Sequence, residues 1–272
     1  MIMSETSATR ARLVRDLVEN CGIRPGSIVI VHASLKALGP IDGGAPTVVA
    51  ALQEALGPKG TLLMPTFSHP TADGVWRMTE TSSRTGAVTE AMRVCAGAVR
   101  SCHPTHSVTA WGARAVELTN GHERTTAVGI DSPLHLAAKA GADILMIGCN
   151  FKACTMVHIA ESIVRPPYVG KVCYAGYDRD LVGIDRDGHR HTFTWIDTAT
   201  DSAGFMVAQQ TMDRQGDIAH VRLANAECLR FTSRACLDTS IALLRADPAS
   251  LLCRKSECPV CTAGRAIVAA AG

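Results

Sequence analysis

The sequence predicts an α/β protein folded as one compact domain over residues 1–272. Three observations lead there. Short apolar runs, several of them β-branched, recur at 28–31, 61–64 and 144–147, the pattern of strands buried on both faces. Stretches with apolar residues at helical spacing lie between them. No Ser/Gly/Pro-rich linker and no internal repeat divides the chain, although 272 residues would allow two small domains.

The elements follow in order. Residues 11–21 put Leu13, Val14, Leu17 and Val18 on one helical face, and Pro25-Gly26 then makes a turn. The first buried strand is 28–31. A helix over 47–56 stops at Gly57-Pro58, and the strand 61–64 is closed by Pro65. A helix is expected over 86–95, a strand over 107–111 and a helix over 113–118. Ser132 caps a helix running to 140, with Pro133 at its first position. After the strand 144–147, Thr155 is expected to cap a helix to 164, ended by Pro166-Pro167. Residues 168–195 read as β-rich, with a hairpin turn near Asp187-Gly188. Helices at 202–212 and 232–244 bracket short strands within 220–231, and 263–272 is a small apolar helix. The whole is a central mixed sheet flanked by helices, with a β-rich second half.

Composition narrows the function. Hydrophobic residues are 47% and charged residues 19%, so a disordered chain is excluded. A net charge of +2 without a basic stripe, and 4% aromatics, argue against nucleic acid as a partner. No apolar run has the length of a membrane span. Residues 1–15 lack the apolar centre of a secretory signal. The 11 cysteines are scattered, several inside apolar runs, which suits a reducing cytoplasm better than a disulfide framework.

Five segments carry candidate chemistry. VHASLKALG, followed by Gly43-Gly44, leaves a buried strand where α/β sheets bind ligands. Its hydroxyl, backbone N–H groups and Lys36 suit phosphate, and so does an ordinary strand-to-loop turn. HPTHSVTAWG offers His103 and His106, but no nearby carboxylate completes a metal site, and loop structure is the ordinary reading. In GCNFKACTMVHIAE, His158 falls in the first turn of a helix with Glu161 three residues on, along the same face. A helix start favours a neutral ring over an imidazolium, as a general base requires. Cys154 there is read as a packing residue. In WIDTATD, Asp197 and Asp201 could orient a histidine or attract a cation, or simply shape a turn. Last, Cys253, Cys258 and Cys261 form a C-x4-C-x2-C segment, a candidate zinc knuckle with Cys228, Cys236 or His220 as the fourth ligand. On the residues alone, a metal hydrolase using His158 and Glu161 with His103 or His106, or a zinc-stapled binding module, are rival classes.

Taken together, VHASLKALGPIDGG, ALGPKGTLLMPTFS, HPTHSVTAWG, SPLHLAAKAGADILMIG, TMVHIAES and WIDTATDSAGF, in this order over roughly residues 10–250, resemble the aminoglycoside 3-N-acetyltransferase family. The resemblance implies the antibiotic N-acetyltransferase fold, distinct from the GNAT fold. It implies transfer of acetyl from acetyl-CoA to the 3-amino group of the 2-deoxystreptamine ring, in a monomer or homodimer. By the same resemblance His158 matches the catalytic histidine, Glu161 the acid that follows it, and Asp197 an acid that orients the ring or meets the substrate's amines. Ser34, Leu35 and Lys36 match one CoA-contacting segment, and Ser107 and Val108 a second. Asp73 lies where relatives carry acids that contact the antibiotic, and Asp201 adds a further acid. Relatives often have Asp and Asn where this chain has Lys152 and Cys154. That loop adjoins the base, so acceptor preference is where divergence is expected. The rival acceptor is another small amine.

Overall fold

The computed structural model describes residues 7–68, 73–173, 180–193 and 200–271. The strands are β1 (Ile28–Ala33), β2 (Thr61–Pro65), β3 (Val75–Arg77), β4 (Val99–Arg100), β5 (Val108–Gly112), β6 (Asp143–Ile147), β7 (Leu181–Ile184), β8 (Arg190–Phe193), β9 (Ala219–Leu223) and β10 (Ala226–Thr232). The helices are α1 (Arg10–Glu19), α2 (Leu35–Leu38), α3 (Gly44–Leu56), α4 (Ala87–Val94), α5 (Ala115–Thr119), α6 (Pro133–Lys139), α7 (Met156–Val164), α8 (Met206–Gln215), α9 (Ser233–Ala246) and α10 (Pro259–Ala271).

Seven strands form one sheet in the order β4-β5-β2-β1-β6-β10-β9. β1 pairs parallel with β2 and with β6, and these are the three apolar runs of the sequence. Antiparallel strands extend this parallel heart on both sides, β5 and β4 beyond β2, β10 and β9 beyond β6. The mixed sheet is therefore parallel only where it is most deeply buried. Side chains alternate along β1: Ile30 joins the core under α5 to α9, while Val29 and Val31 join the core under α1, α3 and α4. A second sheet, β3-β7-β8, packs Trp76, Leu181 and Phe193 into a small cluster of its own.

Several elements depart from expectation. The segment after β1 folds as a short helix, α2, capped by Ser34, instead of an open loop. Thr155 stands at the start of α7 but its side chain makes no capping bond, since the preceding turn at Phe151–Ala153 already leads the chain into the helix. Residues 167–171 are turns, because Pro166-Pro167 break the chain and Tyr168 turns inward; the hairpin around Gly188 is as expected. Short strands β3 and β4 carried too little pattern to be read. The C-terminal helix begins earlier than expected, at Pro259, inside the cysteine segment.

Candidate active site

The carboxyl ends of β1 and β6, side by side through His32–Met146 and Ala33–Ile147, open onto a cavity of about 450 Å³. Ligands of open α/β sheets sit at such strand ends. The floor is built by one close approach. Gly148, just past β6, has φ +63°, and a Cβ there would come within 2.1 Å of the Ala37 Cβ in α2. With no side chain to hold them apart, the loop after β6 and the α2 segment come together. Ser34 and Cys149 both line the cavity as a result. The Ser34 N–H donates to the Ile147 carbonyl at 2.8 Å, which fixes the junction.

His158 lines the same cavity from α7. Its Nδ1 lies 2.6 Å from Oε2 of Glu161, one turn along the helix. Facing a carboxylate oxygen, Nδ1 is the donor, and in the neutral tautomer this selects, Nε2 carries the lone pair. The ring's edge packs against Phe205 at a centroid distance of 4.6 Å. Glu161 is fully buried and is held from the other side. The Tyr168 hydroxyl donates to Oε1 at 2.7 Å, and the Thr200 hydroxyl sits 3.0 and 3.2 Å from the two oxygens. Burial, and then the neighbouring Glu161 carboxylate, push the Tyr168 phenol far above its ordinary range, so it stays a donor. Orientation of an imidazole by a buried, fully hydrogen-bonded carboxylate is the arrangement that prepares a general base. Tyr168 and Thr200 were not singled out in the sequence.

The remaining sequence-predicted residues fall into three groups. Ser34 reaches the cavity, whereas Leu35 and Lys36 are not among its lining residues. Ser107 and Val108 are fully buried: the Ser107 hydroxyl accepts from Arg100 at 2.9 Å and donates to the Thr66 carbonyl at 2.9 Å. From that stretch it is His106, against Phe67, that lines the cavity. Asp73 is an exposed residue bound to Arg77 and to the Val75 N–H, away from the cavity lining. Asp197 lies outside the described residues.

Asp201 is engaged within the fold and is not among the cavity-lining residues. Its Oδ1 accepts from the Ala203 N–H at 2.8 Å, capping the turn Ser202–Phe205, and its Oδ2 meets Lys255 Nζ at 3.0 Å. Burial alone would raise its pKa, but the N–H and the ammonium outweigh that and hold it below the usual value. The carboxylate is thus spent on structure, while its neighbour Ser202 lines the cavity. Lys152 lines it too, and none of the described lining residues is Asp or Glu.

The sulfur atoms of Cys253, Cys258 and Cys261 lie within 4.8 Å of one another, and all three residues are buried. Three clustered thiols are a donor set that fits zinc. The fourth ligands suggested by the sequence are occupied elsewhere: Cys236 contacts Cys154 at 3.9 Å, His220 bonds Asp213 at 2.8 Å, and the Cys228 thiol donates to the Ala226 carbonyl at 3.5 Å. His103 turns Nδ1 onto the N–H groups of Thr105 and His106, and no third ligand atom among the described residues closes on His158 and Glu161. The metal-hydrolase arrangement is not formed by these residues. No helix among the described residues is long and apolar enough to cross a membrane.

Known proteins match this chain in both sequence and fold. An aminoglycoside N(3)-acetyltransferase VII of Streptomyces paromomycinus is 34% identical over 186 residues, 60% of this chain and 64% of that protein. An aminoglycoside N(3)-acetyltransferase III of Salmonella sp is 32% identical over 183 residues, again 60% and 64%. The match thus spans just under two thirds of the length of those relatives. The crystal structure of the aminoglycoside acetyltransferase AAC(3)-IVa superposes with a TM-score of 0.84 at 22% identity, covering 97% of this chain and 98% of that one. A second solved structure, AAC-IIIb with CoASH, gives a TM-score of 0.73 at 22% identity, over 89% and 97% of the two chains. The family described as aminoglycoside 3-N-acetyltransferase matches residues 30–245, the span that contains the carboxyl end of β1 with Ser34, the His158–Glu161 pair and the Ser202–Phe205 turn, and the chain belongs to it.

Proposed function

We propose that the protein is an N-acetyltransferase that moves acetyl from acetyl-CoA to the 3-amino group of the 2-deoxystreptamine ring of aminoglycosides, by direct transfer within a ternary complex. The observation that carries this is the 2.6 Å bond from His158 Nδ1 to Glu161 at the edge of the cavity. Family membership and the relatives named above support the donor and acceptor classes; one solved neighbour is a complex with CoASH, and another, a mutant of AAC(3)-IVa, is a complex with a gentamicin.

In this reading the acceptor amine attacks the thioester carbon while His158 Nε2 takes its proton, directly or through one water. The new N–C bond forms, the C–S bond breaks, and its electron pair leaves on sulfur. The proton held by His158 then passes to the thiolate, giving CoASH. Glu161 keeps the ring in the useful tautomer and steadies the transient imidazolium. Positioned proton transfer is worth about 10²–10⁴-fold in rate. The segments Ser34-Leu35-Lys36 and Ser107-Val108 are the candidate contacts for the CoA arm, with Ser34 and His106 the members that line the cavity. Asp197, Asp73 and Asp201 remain the candidates to meet the acceptor's ammonium groups, Asp197 also to orient the His158 ring. Cys253, Cys258 and Cys261 would hold a structural zinc, a cross-link that supplies no catalytic chemistry.

One observation favours the second reading, an acyltransferase of the same family acting on another small amine. The described cavity lining carries Lys152 and no carboxylate, and a polycation is repelled by such a charge. Incubation with acetyl-CoA and a panel of 2-deoxystreptamine compounds and other small amines decides, read by thiol release and by mass. An added acetyl group on the 3-amine is the expected result; turnover only with amines lacking that ring would replace the first reading with the second.

A further inference from the structure

Beside the His158–Glu161 pair the cavity holds a second imidazole that this mechanism does not use. His32 is the penultimate residue of β1 and lines the cavity with His158 and Thr155. Its backbone is fixed: the residue pairs with Met146 in the sheet, and its carbonyl receives the Cys149 thiol at 3.5 Å. Only 8% of the residue is exposed, no bond to its ring is formed among the described residues, and its nitrogens are not among the sealed-off polar atoms, so they open onto the cavity. The other buried histidines are different: His122 bonds Ser101 and the Ala127 carbonyl, and His103 accepts two backbone N–H groups. Of these three buried rings, His32 is the one that lines the cavity.

We propose that His32 is a catalytic residue of the acyl transfer, donating its imidazole N–H to the thioester carbonyl oxygen and stabilising the negative charge that develops there as the amine attacks. This inference rests on the acetyl-transfer reading above. The division of labour between the two rings follows from their surroundings. His158 has a carboxylate behind it and can accept a proton. His32 has no acid behind it, and burial depresses its pKa to about 4, so at neutral pH it holds one N–H and does not become a cation. A neutral imidazole of this kind serves as an electrophile without entering the proton transfer. The N–H is not given up: when the tetrahedral intermediate collapses, the oxygen returns to a carbonyl, the C–S electron pair leaves on sulfur, and His32 is unchanged. A donor fixed on a sheet strand is already aimed, so no reorganisation is needed as charge appears.

The test compares three variants with the parent in steady-state turnover of acetyl-CoA and the best acceptor of the panel. His32→Phe keeps the ring's bulk and removes the donor; His32→Asn returns an amide near the position of Nδ1, and His32→Gln near Nε2. His32→Phe is expected to lower kcat by about 10²–10³-fold, the loss typical of one oxyanion donor. KM for acetyl-CoA and the melting temperature should stay close to the parent's, and one of the two amides should recover at least about tenfold of the lost kcat. If His32→Phe does not fold, His32→Leu takes its place as the apolar reference. A kcat within about threefold of the parent, a defect confined to KM, or no recovery by either amide overturns the proposal. A parent enzyme that releases no thiol with any acceptor removes the acetyl-transfer reading and this proposal together. A turning-over parent with an indifferent His32→Phe removes this proposal alone.

Discussion

The Tyr168 hydroxyl and the Thr200 hydroxyl converge on one buried carboxylate, reaching Oε1 of Glu161 at 2.7 and 3.0 Å. Oε2 is thereby left for His158 as its main partner. Removing either hydroxyl leaves the charge under-solvated where water cannot replace it. Tyr168→Phe is expected to cost about 1.5–3 kcal/mol of stability, as for other hydrogen bonds to a charged group. It should lower kcat with little change in KM for acetyl-CoA. Urea unfolding and steady-state kinetics check the two halves; an unchanged unfolding midpoint would show that the bond contributes nothing.

His158→Ala should fold normally and lose about 10²–10⁴-fold in turnover at saturating acetyl-CoA. Glu161→Gln tests the orienting role separately. It keeps the shape but offers an amide where a carboxylate accepted, and its loss should appear in kcat. Turnover by His158→Ala equal to the parent's removes the ring from the reaction.

Two buried imidazoles make stability pH-dependent. Burial lowers the pKa of both His32 and His122 from 6.5 to about 4. In that window the unfolded chain binds protons that the folded chain refuses, so stability rises with pH. The contribution is fully present above about pH 6.5 and lost as pH falls toward 4, with a slope of up to about 1.4 kcal/mol per pH unit per ring. Unfolding curves at pH 7, 5.5 and 4.5 should show the decline, and His122→Gln should flatten it. A slope that His122→Gln leaves untouched would assign the effect to other groups.

Metal content tests the cysteine cluster. Elemental analysis of the purified protein should find about one zinc per chain. Chelation should lower the melting temperature while the protein that stays folded keeps turnover. Cys261→Ser should reproduce the lowered melting temperature without chelator. A metal-free preparation with the same melting temperature would exclude a structural ion.

Gly148→Ala is expected to be among the costlier single substitutions. The position has φ +63° and its Cβ would meet that of Ala37 at 2.1 Å. Strain and overpacking together should cost about 2–4 kcal/mol. Displacement of α2 should also weaken acetyl-CoA binding through Ser34. Calorimetric titration and urea unfolding measure both, and wild-type values in each would show that the loop relaxes freely.

The sequence made legible what depends on local spacing. The three apolar runs became β1, β2 and β6, and the three-residue step from His158 to Glu161 was enough to pair them on one helix face. What it hid depends on distance along the chain. Thr200 lies 39 residues from Glu161 and Tyr168 lies 7 away beyond two prolines, so no periodicity joins them. Asp201 could be read as a substrate acid or a turn residue because a carboxylate in a loop looks the same in either role; the bonds to the Ala203 N–H and Lys255 appear only in the fold. Ser107 opened an expected strand and matched a CoA-contacting segment, but nothing in the sequence shows that Arg100 ties its hydroxyl into a buried network. His32 was within a quoted motif, yet nothing in the run of aliphatic neighbours signals that its ring opens onto the cavity.

The Asp201 clamp also gives the last helix a reason to exist. Its backbone N–H touches the Cys261 sulfur at 3.4 Å, its carboxylate grips Lys255, and four residues later Phe205 braces the His158 ring. The tail past residue 245, beyond the stretch shared with the family, thus works as a buttress whose slackening would be felt as wobble in a side chain it never touches.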